Sequence, residues 1–492
     1  MKRLQNPAIA TLALFAISLA ASAQTSPTPP SAPQPAPKSF FNRWATFYHQ
    51  DWTTPASSDT TSPSPPAARR GLSSPLSSPP YPSADWSYGG SPTIGEPDSN
   101  SYPLQTAING TGFGKAGRIK LYGWIDPTLN FSTAGNAQGA RNYPESNDIY
   151  PNRLELGQFV VYLERLPDTV QRDHFDWGFH LTSLFGTDYR STINKGYLSS
   201  QLLDHNRQYG FDPALEYLDI YFPHVAQGMN LRIGRFISIP GIEAQLTPNN
   251  YLFSHSLLYS VDPFTDTGAL ATIQATQQTV VQIGLSASHD VAPWTSDAKP
   301  SLMACVSHST KSENDNSYTC INGINNGTYA FNNVQQYDET WYHKFNANWH
   351  MASEAWLMYE RQVPSIHAPT VNTSSIHGPI IPIEKGTNGA NCAIGEDRCF
   401  TSEYAWVNYL NRQLGPHDYV TMRNDFLNDK KGQRTGYAGR LSEITFAWNH
   451  WIGSTVQLRP ELRYDHAWDR PTYNHGTNKN QFTAATDLIL HF

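Results

Sequence analysis

The sequence predicts an all-β fold, a transmembrane antiparallel up-and-down β-barrel preceded by a disordered Pro/Ser-rich segment. Three observations predict it. The stretch from Phe482 to Phe492 is an amphipathic strand ending on an aromatic side chain. Segments of the same period recur from about residue 112 onward, with no convincing long helix among them. The first residues form an export signal.

Lys2 and Arg3 precede an apolar stretch from Ala8 to Ala20, and Ala21-Ser22-Ala23 follows. A basic start, a short apolar region and small residues mark a signal peptide, so residues 1–23 are expected to be removed after Ala23. The apolar stretch is too short to cross a ~30 Å hydrocarbon layer as a helix. No Cys follows it, so no lipoprotein anchor is expected.

Residues 24–111 are rich in Pro and Ser. Such a composition buries too little apolar area to offset the entropy of ordering. An aromatic island interrupts it at 40–48, Phe40-Phe41-Asn42-Arg43-Trp44-Ala45-Thr46-Phe47-Tyr48. Two readings stand for the island: a short helix docked on the periplasmic mouth of the barrel, or a sticky patch in a linker.

Residues 112–492 carry the barrel pattern. Between Arg118 and Phe131, Ile119, Leu121, Ile125, Leu129 and Phe131 share one face; Lys120, Tyr122, Trp124 and Asp126 share the other. Trp177, Phe179, Leu181 and Phe185 alternate with Gly178, His180, Thr182 and Gly186. Val456, Leu458, Leu462 and Tyr464 oppose Gln457, Arg459, Glu461, Arg463 and Asp465. A dry core would exclude that many charges, whereas a hydrated lumen accepts them. Single-chain bacterial barrels have even strand numbers, so about sixteen strands are expected, within a range of fourteen to eighteen. Pro460 removes a ladder donor and is read as a bulge or gap. Links at 350–353 and 449–453 are read as periplasmic turns, and 363–401 as an external loop. Residues 240–260 are read as a short helix or constricting loop folded into the lumen.

Composition limits the alternatives. Mean hydropathy is −0.49, and no apolar run after the signal is long enough for a membrane-spanning helix. A formal net charge of −7 argues against nucleic acid as a partner. Aromatic side chains make up 12% of the chain, which suits interfacial girdles. The four cysteines in an exported chain favour disulfides, in sequence order Cys305 with Cys320 and Cys392 with Cys399. No metal site or cofactor is expected. No nucleophile–base signature is present, and Ser256 beside His255 is chance proximity. The stretch at 109–115 fails the phosphate-loop pattern, and the one at 428–432 lacks calcium-loop oxygens. No enzymatic activity is expected.

The charged residues expected to face the lumen, and so to line a pore, are Lys120, Asp126, Arg232, Arg423, Asp425, Arg459, Glu461, Arg463 and Asp465. Either they set the field across a pore or they pair locally and stabilise the wall. Phe492 is expected to serve as an assembly signal, read by the outer-membrane assembly machinery through the C-terminal strand.

Several stretches together resemble the OmpL-like β-barrel porin family. They are Gly228 to Phe236, Ser254 to Leu258, Asp262 to Gly268, Met422 to Asp425, Asp429 to Gly436 and Leu458 to Asp465. The resemblance spans residues from about 118 to 492 and implies an outer-membrane barrel passing small polar solutes. It transfers no substrate and no catalytic residue, and the Pro/Ser-rich segment departs from the simplest family pattern. The leading expectation is a porin in the cell outer membrane, surrounded by its lipid. It would allow passive diffusion of small polar solutes or ions through a charged, water-filled lumen, as a homotrimer or otherwise. The alternatives are a structural or adhesive barrel with a plugged lumen, and a secreted soluble glycan-binding β-protein.

Overall fold

The computed structural model describes residues 39–53, 94–95, 102–109, 118–135, 141–142, 144, 147–239, 241–368 and 389–492. The expected cleavage site at Ala23 lies outside them. The first strands are β1 Ile119–Ser132, β2 Leu154–Arg165, β3 Asp176–Gly186, β4 Gly210–Phe222, β5 Met229–Ile237, β6 Thr265–Gln274, β7 Thr279–His289 and β8 Ser301–Ser309. Then come β9 Asp315–Ile324, β10 Gln335–Lys344, β11 Trp349–Pro364, β12 Arg398–Gln413 and β13 Asp418–Asp429. The last are β14 Gly439–Ile452, β15 Val456–Leu458, β16 Glu461–Ala467 and β17 Asn480–His491.

Consecutive strands pair antiparallel, and β17 returns to β1. β15 and β16 are two halves of one strand lying between β14 and β17, broken at Arg459 and Pro460. The barrel therefore closes with 16 strands. Closure is what lipid demands, because an open sheet edge would leave backbone donors and acceptors without water.

Side chains alternate across the wall as the sequence pattern requires. On β2, Phe159 and Leu163 face outward while Val160, Tyr162 and Glu164 face in and are buried. The outward band is apolar and bare: Phe131 is 63% exposed, Leu154 69% and Leu285 62%. A continuous belt of that kind fits hydrocarbon rather than water. Around Pro460 the outer wall is indented into a groove of about 750 Å³ lined by Leu129, Met422, Phe446, Leu462 and Ala484.

From β4 onward, connections alternate between short and long. The short ones, at 223–228, 275–278, 310–314, 345–348, 414–417 and 453–455, lie at one end with the start of β1 and the end of β17. Two turns differ from the sequence reading. Residues 350–353 belong to β11, and 449–452 belong to β14. At the first, Asn346 makes the turn, its Oδ1 accepting the Asn348 and Trp349 amides at 2.9 and 3.1 Å. At the second, Gly453 supplies a φ of 60° that other residues adopt at a cost.

The β5–β6 connection folds into the lumen, with 3₁₀ turns at Thr247–Asn249 and Tyr259–Val261. Cys305 bonds to Cys320 directly across β8 and β9 on the inner face, and Cys392 bonds to Cys399 in the β11–β12 connection. Two helices precede the barrel. α1, Phe40–Thr53, extends the aromatic island and docks at the short-turn end. α2, Pro103–Asn109, forms within the stretch read as disordered. Pro103 at its first position suits a helix start, and its buried face packs on β1. Short helices α3, Ser200–Leu203, and α4, Tyr473–Gly476, lie in long connections.

The seam between β1 and β17 is tight at Gly123. Its N–H donates to Phe492 O at 3.1 Å, and its carbonyl accepts from the Phe492 N–H at 2.8 Å. A Cβ here would meet Val160 O at 2.0 Å and the Phe492 ring at 2.9 Å. Gly123→Ala should therefore cost about 1–3 kcal/mol of barrel stability. The measurement is the midpoint of the heat-induced gel shift of the folded barrel; a wild-type midpoint would show that the seam absorbs the methyl.

Candidate functional site: the lumen and its inward loop

The loop at 241–262 runs through the lumen, and a folded backbone inside a barrel needs partners for its own amides and carbonyls. The wall supplies them. Arg423 on β13 donates to Ser254 O, and at 3.1 Å to Ser254 Oγ. Arg463 on β16 donates to His255 O at 2.5 Å. Arg459, at the break between β15 and β16, donates to Thr247 O at 3.1 Å and Asn250 O at 2.8 Å. Carboxylates complete the set from the other side of the hydrogen bond. Glu461 accepts the Phe253 and Ser254 amides, each at 3.1 Å, and Asp425 accepts the Leu257 amide at 2.9 Å.

Each arginine also has its own carboxylate. Arg423 Nε donates to Glu443 at 2.6 Å, Arg463 is paired with Asp465 at 2.9 Å, and Arg459 with Asp487. All six side chains are buried. Two pairs join neighbouring strands, Arg423 with Glu443 of β14 and Arg459 with Asp487 of β17, and the third joins successive inward positions of β16, so inward residues of β13, β14, β16 and β17 meet in one sector. Charges taken out of water in this way persist only when paired and hydrogen-bonded.

Strands flanking this sector hold the loop more lightly. Glu354 on β11 accepts the Ile242 amide at 2.7 Å, Gln158 on β2 accepts the Thr247 amide at 3.2 Å, and Gln336 on β10 donates to Asp262 at 2.8 Å. Arg434, from the β13–β14 connection, donates to Val261 O at 2.9 and 2.6 Å. Within the loop, Glu243 accepts the Ser256 amide at 2.9 Å and the Ser256 hydroxyl, and lies 3.3 Å from His255 Nδ1. The Ser256 hydroxyl is thus bound to a carboxylate rather than to His255. Asp429 accepts the amides of Gln433, Arg434 and Thr435 at 3.1, 3.0 and 2.8 Å, which makes the 428–436 stretch a turn that positions Arg434.

All nine residues expected to face the lumen lie on the inner face of the wall. Six of them, Arg423, Asp425, Arg459, Glu461, Arg463 and Asp465, converge on the loop. Asp126 lies beside Asp487 and Arg459 at the edge of this cluster. Arg232 stands apart, paired bidentately with Asp219 at 2.9 Å and stacked over Tyr217 at 3.6 Å. Lys120 lies 5.4 Å over the ring of Tyr102. The sequence reading left Glu243, Glu354, Arg434, Glu443 and Asp487 out of the set. Glu443 and Asp487 carried a signal, since they occupy the polar phase of recognised strands. The other three needed knowledge of where the loop goes.

The rest of the inner face is buried as well. Tyr122, Tyr162, His180 and Tyr217 form a run of ring contacts from β1 to β4, at 4.8 Å, 4.9 Å and 4.8 Å between centroids. Leu270, Met303, Thr340, Glu403 and Val407 are inaccessible on the other wall. Among the described residues, the inner face is buried beneath the loop and the side chains that grip it.

A closed barrel with an apolar outer belt, short connections gathered at one end and a loop drawn into a charged interior defines an outer-membrane β-barrel of the porin type. The family model described as "Putative beta-barrel porin-2, OmpL-like" matches residues 118–492, and the chain belongs to that family. No curated protein matches the chain. Among solved structures, an anion-selective porin from Comamonas acidovorans matches at 9% identity and TM-score 0.46, over 76% of this chain and 99% of that one. The outer-membrane channel DcaP of Acinetobacter baumannii matches at 9% identity and TM-score 0.47, over 76% and 97%. OccAB1 of Acinetobacter baumannii matches at 10% identity and TM-score 0.42, over 77% and 98%.

Removing Glu461 leaves two loop amides without their acceptor and the nearby arginines with less counter-charge. Breaking one partner of such a buried set costs roughly 3–5 kcal/mol. Glu461→Ala should therefore leave a folded barrel in which chymotrypsin cuts at Tyr251, Phe253 or Leu257, sites protected in the wild type. Full protection in the variant would show that the loop is held by packing alone.

Proposed function

We propose that this chain is a porin of narrow bore, passing small polar solutes or ions by passive diffusion through the outer membrane. The observation that carries the reading is the inward loop, gripped by arginine and carboxyl side chains of the wall. A loop held this way sets the cross-section of a lumen and fixes the positions of charges around it. Selectivity would come from bore and field: arginines of β13 and β16, with Glu354 and Asp338 of the β10–β11 hairpin further along the same wall. Diffusion asks for no nucleophile, cofactor or metal, so no catalysis is assigned. On this reading the strand ending at Phe492 is what the assembly machinery recognises.

The test is single-channel current in a planar bilayer, with ion gradients for selectivity. Discrete steps of small, stable conductance are expected. Reversing Arg459 and Arg463 to Glu should shift the reversal potential toward cations and raise the conductance, because the loop loses its grip. An unchanged reversal potential would place both outside the permeation path. One observation favours a second reading, a structural barrel that stays closed: the inner face is buried along both walls. Membrane-integrated protein without current would select it.

A further inference from the structure

The two helices ahead of the barrel lie outside the region that matches the porin family, residues 118–492. Their contacts gather at one place, the seam where β17 closes onto β1. β1 extends past its partner there. Register runs from Ser132 opposite Thr483 to Trp124 opposite His491, and Gly123 pairs with Phe492. Residues 119–122 pair with β2 but have no β17 residue on their other side. The amide of Leu121 points to that side, as the Gly123 amide does, and an unpaired edge next to lipid is a liability.

α2 fills the gap. Gln105 Oε1 accepts the Leu121 amide at 2.7 Å, standing where the next carbonyl of β17 would stand. Tyr102 stacks flat on the inward ring of Tyr122, 3.7 Å between centroids and 4° between planes. α1 takes the other side of the seam. Tyr48 Oη donates to His491 O at 2.6 Å, and burial pushes its phenol up to about 12, so it remains a donor. Asp51 accepts the Ser454 amide at 2.9 Å and the hydroxyls of Ser454 and Thr455, each at 2.8 Å, in the β14–β15 turn. Trp52 Nε1 donates to Thr455 Oγ1 at 2.9 Å. Arg43 then joins the helices, donating twice to Ala107 O at 2.9 and 2.7 Å. A C-terminal helix carbonyl is a natural acceptor for a guanidinium.

We propose that α1 and α2 form a clasp across the closing seam: one helix grips β17 and the β14–β15 turn, the other completes the bare edge of β1, and Arg43 ties them together. The clasp has no complete docking surface until β1 and β17 have met, so it seats after closure and keeps the seam shut. Its occupant is this chain's own N-terminal segment, which explains aromatic and charged residues at fixed places within a Pro/Ser-rich stretch.

The test uses the full chain in detergent micelles. Arg43→Ala, Asp51→Ala and Gln105→Ala, singly and combined, are compared with His49→Ala on the exposed side of α1. The combined variant should unfold at a lower temperature in the gel-shift assay than wild type and His49→Ala. Backbone amides of residues 121–125 should exchange with deuterium roughly tenfold faster, the scale of one lost hydrogen bond in a protected site. If the combined variant yields no folded barrel, Gln105→Ala decides alone, since it removes a single acceptor; faster exchange at Leu121 supports the clasp. Wild-type exchange and unfolding temperature in every variant would overturn it. So would a rise in conductance with the seam unchanged, which would make the helices a gate instead.

Discussion

Three guanidinium groups buried in one sector of the wall need acceptors, and the carbonyls of the inward loop provide part of them. Arg423, Arg459 and Arg463 each hold one carboxylate from the wall and one or two backbone oxygens of the loop. Neither side is satisfied without the other. The arginines would lose these acceptors with the loop swung out, and the loop's carbonyls would be buried without donors if the loop stayed in and the arginines were absent. This mutual requirement fixes the loop's path, and with it the shape and the field of the lumen.

The requirement also accounts for stretches that are far apart in the sequence. Ser254 to Leu258 is the part of the loop that is gripped. Met422 to Asp425 and Leu458 to Asp465 are the strands that grip it. Asp429 to Gly436 is a turn stopped by the Asp429 carboxylate so that Arg434 reaches Val261. Pro460 falls into place as well. The ladder breaks at Arg459 and Pro460, and the break lets Arg459 reach both Asp487 and the loop backbone. What reads as a fault in a strand is where the wall turns toward its loop.

Much of the architecture was legible because a lipid-facing wall has a strict period of two. The phase of Lys120 through Asp126 and the inward set Arg459, Glu461, Arg463 and Asp465 followed from alternation alone, while the count of about sixteen strands also needed the rule that such barrels have even strand numbers. Turn positions were less legible. Trp341 to His350 keeps its alternation through the hairpin, so only Asn346 and Asn348 mark the turn, while hydropathy placed it later. The pairing of charges was not legible, since it depends on which inward residues of neighbouring strands stand opposite or diagonal to one another. Arg423 with Glu443 and Arg459 with Asp487 are set by register, which a single strand does not encode. The helix at 103–109 was hidden for another reason. It is short, and it is stabilised by the Leu121 amide and the Tyr122 ring rather than by its own propensity.

The central claim is that the inward loop is part of the wall's hydrogen-bonded structure rather than a segment resting in the lumen. Deuterium exchange on the wild-type barrel in micelles tests it most directly, read at the amides of Phe253, Ser254 and Leu257. Exchange as slow as that of the neighbouring strand amides of β13 and β16 is the predicted result. Exchange as fast as that of the surface connection at 468–479 would contradict the account.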